Sequence, residues 1–117
     1  MTDMVDFTLT TRPGDDGSSV VELAGELDLY RVPELTDALQ AGSGPVVVDL
    51  QEVTFLDSTT LALLVREHRR LRTAGRDLTV LVGPRTPTSA FAITGVDRIL
   101  AVRSAAAPSA TAGALAA

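Results

Sequence analysis

Three hydroxyl residues follow directly on a carboxylate at Asp57-Ser58-Thr59-Thr60, just ahead of the apolar run Leu61-Ala62-Leu63-Leu64-Val65. Two chemistries suit that order. Asp, Ser and Thr before an apolar helical run are helix caps, their side-chain oxygens accepting hydrogen bonds from first-turn amides. The same hydroxyls could instead accept a phosphoryl group. A phosphate brings about −1.5 to −2 charges at neutral pH, and the amides and dipole of a helix N-terminus can accommodate it without refolding the domain. Asp57 would repel it, so the modification would be felt by a partner as a change of surface charge. Asp28, which closes Gly25-Glu26-Leu27-Asp28, is by itself another turn or cap carboxylate.

Other constellations find no residues. There is no cysteine and one histidine, so thiolate chemistry and a structural zinc site are excluded. His68 lies on an apolar stripe, where a buried, hydrogen-bonded imidazole is the reading ahead of a catalytic base. No phosphate-cradling glycine loop with a lysine is present, nor a nucleophile–histidine pair, nor metal-ligand spacing. The expectation is no enzyme, no cofactor and no metal. A phospho-aspartate receiver with Asp57 modified is a competing chemistry, but all ten basic residues are arginine. That family carries a catalytic lysine, and no acidic pair ends the first strand here.

The elements that must position the hydroxyl cluster are legible as alternating periodicities. Val46-Val47-Val48-Asp49-Leu50 reads as a strand buried on both faces, followed by a short polar turn into the cluster. From Ser58 to Ala74 an apolar stripe at Leu61, Leu64, Val65, His68 and Leu71 predicts the longest helix, with Gly75 as its stop. Glu67, Arg69, Arg70 and Arg72 lie mostly off the stripe. With Arg66 the arginines make a basic rim, a solvated face that could meet an acidic region of a partner. Upstream, Val5–Thr10 and Val20–Gly25 flank the turn Pro13–Ser18 and predict a hairpin, and Pro33 opens a helix over Leu35, Ala38 and Leu39. Downstream come a strand over Leu78–Val82, a short helix capped by Thr86-Pro87 and ended by Gly95, and a short strand over Ile99–Val102. The order β-β-α-β-α-β-α-β predicts an α/β fold: one domain, a mixed β-sheet of four to five strands with helices packed against it. From Ser104 to Ala117 the composition predicts an Ala-rich tail, frayed or marginally helical.

Composition narrows the class. A hydrophobic fraction of 45% is too high for a disordered chain, and 117 residues suffice for a real core. A net charge of −5 argues against nucleic acid, whose binding needs a basic face. No basic-then-apolar leader is visible, and no apolar run approaches the ~20 residues needed to cross a bilayer. The expectation is a cytoplasmic protein with no membrane partner. Arginine without lysine, beside an Ala-rich end, reads as the codon bias of a GC-rich genome.

Three stretches then carry a resemblance. Phe55-Leu56-Asp57-Ser58-Thr59-Thr60-Leu61 is similar to the Asp-Ser-[Ser/Thr]-Gly-Leu motif of the STAS domain, as found in bacterial anti-sigma factor antagonists. Gly25-Glu26-Leu27-Asp28 resembles the family's Gly-x-Leu/Ile-Asp, and Thr94-Gly95-Val96-Asp97-Arg98-Ile99-Leu100 its closing helix-to-strand segment. The resemblance spans Val5 to Val102, a STAS domain within residues 1–103. It implies a protein that binds an anti-sigma factor with serine/threonine kinase activity and so frees a sigma factor. It further implies a switch by phosphorylation at Thr59, with Ser58 the neighbouring hydroxyl, and a phosphatase for reversal. The working state would be a monomer or weak dimer. Asp28 and Asp57 match the acidic positions beside the modified hydroxyl, and Thr60 and Leu61 fall among the flanking and partner-binding ones, although its place on the apolar stripe reads Leu61, with Leu64 and Val65, as core rather than partner surface. Thr60 stands where the family usually has Gly, and a β-branched residue there is expected to narrow the room around the target hydroxyl. The alternative within the family is a STAS subunit that does not switch, in a stress-sensing or lipid-transport complex.

Overall fold

A computed structural model describes residues 7–104; the predicted start of the first strand at Val5 and the tail beyond Ser104 lie outside them. The five strands are β1 (Phe7–Pro13), β2 (Ser19–Leu27), β3 (Val46–Leu56), β4 (Leu78–Val82) and β5 (Ala101–Ser104). They form one sheet in sequence order, β1 antiparallel to β2 and every other pair parallel. Three helices alternate with them: α1 (Val32–Gln40), α2 (Ser58–Thr73) and α3 (Ser89–Thr94).

The core lies on one side of the sheet. Val46, Val48 and Leu50 of β3 and Leu78, Val80 and Val82 of β4 are buried, and they share one apolar cluster with Leu35 and Leu39 of α1, Leu61, Leu64 and Leu71 of α2, and Phe91 of α3. The intervening Val47, Asp49, Thr79 and Leu81 are only partly buried. The expectation that β3 is buried on both faces is therefore corrected. Its β-branched run pairs with a strand on each side, but helices cover one face.

β3 is also longer than its apolar run. Gln51 to Thr54, expected as a polar turn, remain in the strand. The pairing with β2 slips twice, between Glu22 and Ala24 and between Gly25 and Glu26. Such bulges let a strand absorb extra residues and re-aim its side chains. Gly25 sits at the second slip with φ of 94°, a conformation that L side chains resist.

The β1–β2 turn is held by Asp16, whose carboxylate accepts the Ser18 amide at 3.1 Å. The Ser18 hydroxyl first, and its amide second, hold the Asp16 carboxyl below its ordinary value. A lowered carboxylate favours the folded turn above the ordinary titration range and loses that preference as the pH falls through the depressed value. An Asp16 carboxyl resonance that titrates below the ordinary aspartate range in NMR is the expected result.

Helix α2 ends as Gly75 predicts. The Gly75 amide donates to the Arg72 carbonyl and the Arg76 amide to that of Leu71, the paired closure of a left-handed stop. Its buried face differs from the predicted stripe: Thr60, Leu61, Leu63, Leu64, Glu67 and Leu71 are buried, while Val65 and His68 are only partly so. His68 Nδ1 is buried without a hydrogen-bond partner among the described residues, which corrects the expected bonded imidazole.

Glu67 is the main surprise, a carboxylate on the buried face. Arg70 Nε donates to it at 2.8 Å and Gln40 Nε2, from α1, at 3.1 Å. Its side chain is 2% exposed, so removing the arginine would leave a carboxylate short of its closest donor in a dry site. Arg70→Ala is expected to cost about 2 kcal/mol, reduced from the fully buried case by the partial exposure of the arginine. Urea denaturation monitored by circular dichroism measures it.

Thr86 does not cap α3, contrary to expectation. Its hydroxyl is buried, donating to the Leu50 carbonyl at 2.7 Å and accepting the Gly83 amide at 3.0 Å. Thr88 takes the N-cap position without a side-chain hydrogen bond.

Candidate functional site at the strand-to-helix edge

The parallel strands deliver their C-terminal ends to one edge of the sheet, the side of an open α/β fold where ligand-binding loops gather. β2 and β3 end there in register, Leu27 beside Leu56. Asp28 and Asp57 are therefore the first residues out of neighbouring strands.

Each aspartate organises the turn that follows it. Asp57 adopts an extended backbone and caps α2: its Oδ1 accepts the Thr60 amide at 2.9 Å and the Thr60 hydroxyl at 3.0 Å. Its Oδ2 accepts the Leu29 amide at 3.0 Å. Asp28 accepts the next amide, that of Tyr30, at 3.0 Å and caps the short 3-10 turn Leu29–Arg31. Two carboxylates from two strands thus hold two consecutive amides of one loop. The Asp57 amide adds a bond to the Leu27 carbonyl at 3.2 Å. The Arg31 guanidinium lies 4.7 Å from the Phe7 ring centroid, which pins the far end of the turn to β1 through a cation–π contact.

The two candidate hydroxyls open α2 on its outer side. Ser58 and Thr59 are exposed, at the first and second helical positions. Helix geometry gives their amides no intrahelical acceptor. Asp57 has both oxygens turned toward the backbone, so it leaves these hydroxyls open to solvent.

Thr60 and Leu61 both turn inward, Leu61 as its place on the apolar stripe predicts and Thr60 against expectation. Thr60 is 1% exposed and Leu61 3%, so neither side chain faces a partner. The Thr60 hydroxyl points inward, 3.0 Å from Asp57 Oδ1 and 3.3 Å from the Leu27 carbonyl. The residue in place of the family's glycine therefore braces β2 against the cap, and its branched side chain is directed away from the outer side of the helix. Leu61 is core.

Sequence reasoning missed the apolar rim. Leu29 is 54% exposed, Tyr30 77% and Phe55 47%, and all three neighbour the two aspartates in sequence. One signal was available: the whole chain has one tyrosine and three phenylalanines, and two of these four rings stand at this edge. The second bulge is what turns Phe55 out between the buried Val53 and Leu56.

Among the described residues no three His, Cys, Asp or Glu side chains are grouped so as to hold a metal ion, and no helix is long and apolar enough to cross a membrane.

Comparison with known proteins places this architecture. The family model described as "Mlab, STAS domain" matches residues 10–102. An anti-sigma-B factor antagonist of Staphylococcus aureus is 35% identical over 86 residues, which cover 70% of this chain and 80% of that protein. Among solved structures, an anti-sigma factor antagonist from Mycobacterium paratuberculosis superposes with a TM-score of 0.73 at 27% identity, covering 82% of this chain and 84% of that one. The anti-sigma factor antagonist SpoIIAA in its unphosphorylated form, at 18% identity, shares the fold with a TM-score of 0.65 over 86% of this chain and 92% of its own. With the match running from β1 into β5, this chain belongs to the STAS-domain family of anti-sigma factor antagonists.

Proposed function

We propose that this protein is an anti-sigma factor antagonist: it binds an anti-sigma factor of the serine/threonine kinase type, displaces the sigma factor held there, and is switched off by phosphorylation at Thr59, with Ser58 as the neighbouring acceptor. One observation carries the reading. An exposed hydroxyl at the head of a tightly capped helix stands beside an exposed apolar rim of Leu29, Tyr30 and Phe55. Exposed apolar groups gathered at one edge of a fold suit protein contact surfaces, and aromatic side chains supply much of the energy of such contacts. The cap and the Leu29 bond keep that surface preformed, so little conformational entropy is lost on docking. The ATP and magnesium of the phosphoryl transfer belong to the kinase. The names of the relatives above support the partner class.

A second reading is a STAS subunit that does not switch, within a stress-sensing or lipid-transport assembly; the matched family model is described by its STAS domain and names no anti-sigma factor. Reconstitution separates the two. Added to a preformed complex of sigma factor and anti-sigma factor, the protein is expected to release free sigma factor on size-exclusion chromatography. If no anti-sigma factor of the source organism binds, and the protein instead copurifies with a transporter ATPase, the second reading holds.

A further inference from the structure

We infer that the solvent face of α2, from Ala62 to Thr73, docks an acidic segment of the anti-sigma factor; this rests on the functional reading above. Charge is segregated along the chain. Twelve of the fifteen acidic residues fall within residues 1–57, together with only two of the ten arginines. Five of the remaining eight arginines lie between Arg66 and Arg76. At 3.6 residues per turn, the side of α2 opposite its buried face presents Thr59, Ala62, Arg66, Arg69, Arg70 and Thr73, all exposed.

The structure of the chain itself accounts for only part of this strip. Arg70 serves Glu67, and Arg70 and Arg72 stand in the last turn, where cations complement the helix dipole. The dipole effect fades within that turn, so it does not reach Arg66 and Arg69. Arg66 is 63% exposed, and its ion pair with Glu67 is long, 3.9 Å, with no hydrogen bond between them. Arg69 has no carboxylate within 4.0 Å among the described residues. Two guanidiniums one turn apart on an exposed helix face repel mildly, and a complementary surface would offset that.

Charge and size choose the occupant. The strip is about 16 Å long at 1.5 Å per residue, and the rest of the molecule is acidic. It can neutralise only a few phosphates, too few for nucleic-acid binding at physiological salt. An acidic protein segment fits both the length and the sign. Thr59 lies in line with Arg66, two turns and about 10 Å away, with the small Ala62 between them. A phosphate on Thr59 is tolerated by its own helix N-terminus. Repulsion must therefore come from the partner, and an acidic segment lying along this strip supplies it.

Charge reversal tests the inference on the full chain. Arg66→Glu/Arg69→Glu, and the neutral Arg66→Gln/Arg69→Gln, are titrated with the anti-sigma factor at low and high salt, with melting curves as the fold control. The expected result is at least a tenfold loss of affinity for the glutamate pair, a smaller loss for the glutamine pair, a flatter salt dependence for both, and unchanged melting. Affinity of the glutamate pair within twofold of the parent, or tighter, overturns the inference while leaving the functional reading standing. Parent protein that binds duplex DNA through these arginines overturns it in favour of nucleic acid. Failure of the parent to bind any anti-sigma factor removes both.

Discussion

Asp57→Ala is expected to lower the stability of the domain by about 2–3 kcal/mol. An N-cap replaced by alanine costs about 0.5–2 kcal/mol, and hydrogen bonds to a charged group are worth about 1.5–3 kcal/mol. Asp57 has more than the cap to lose: it accepts the Thr60 amide and hydroxyl and also the Leu29 amide from across the edge. For a domain near 100 residues each kcal/mol moves the melting temperature by about 4–8 °C, so thermal denaturation should show a fall of about 10–20 °C. Asp57→Asn keeps an acceptor oxygen and is expected to lose less than half as much. The alanine variant should also loosen the Leu29–Arg31 turn, which amide exchange at Leu29 would register. An alanine variant as stable as the parent would show that the cap is dispensable and that Thr60 alone braces the edge.

Phosphorylation at Thr59 is expected to have the larger functional effect. Folding should survive it, because the candidate hydroxyl is exposed and a dianion at the second position of a helix sits at the favourable end of the dipole. Binding should not survive it. A phosphate placed in a docked surface brings a large desolvation cost, and like charge brought against a partner costs several kcal/mol. A penalty of about 3 kcal/mol weakens a complex about 100-fold. Thr59→Glu supplies one charge and fewer acceptor oxygens, so a smaller loss is expected, and Thr59→Ala should bind normally yet resist the kinase.

Much of this was legible in the chain because the determining signals are local. The strand over Val46–Leu50, the helical span of α2 and the stops at Gly75 and Gly95 lie where periodicity and turn chemistry put them. The two aspartates were legible too, as cap residues. What could not be read was decided by groups far away in sequence. Gln51–Thr54 look like a turn until β2 supplies a ladder whose bulges absorb them. Glu67 looks like a solvated helix residue until Gln40 and Arg70 close over it. Thr86 looks like a cap until the Leu50 carbonyl claims its hydroxyl. Thr60 looked like an obstacle beside the target hydroxyl, and only the position of the Leu27 carbonyl shows that it faces the other way.

The most direct test of the account is the affinity of the anti-sigma factor for two preparations of this protein, one unmodified and one carrying a single phosphate mapped to Thr59 by mass spectrometry, compared by isothermal titration calorimetry. The account predicts tight binding of the first and binding weaker by about 100-fold for the second. Equal affinities within twofold, with the phosphate confirmed on Thr59, would contradict it.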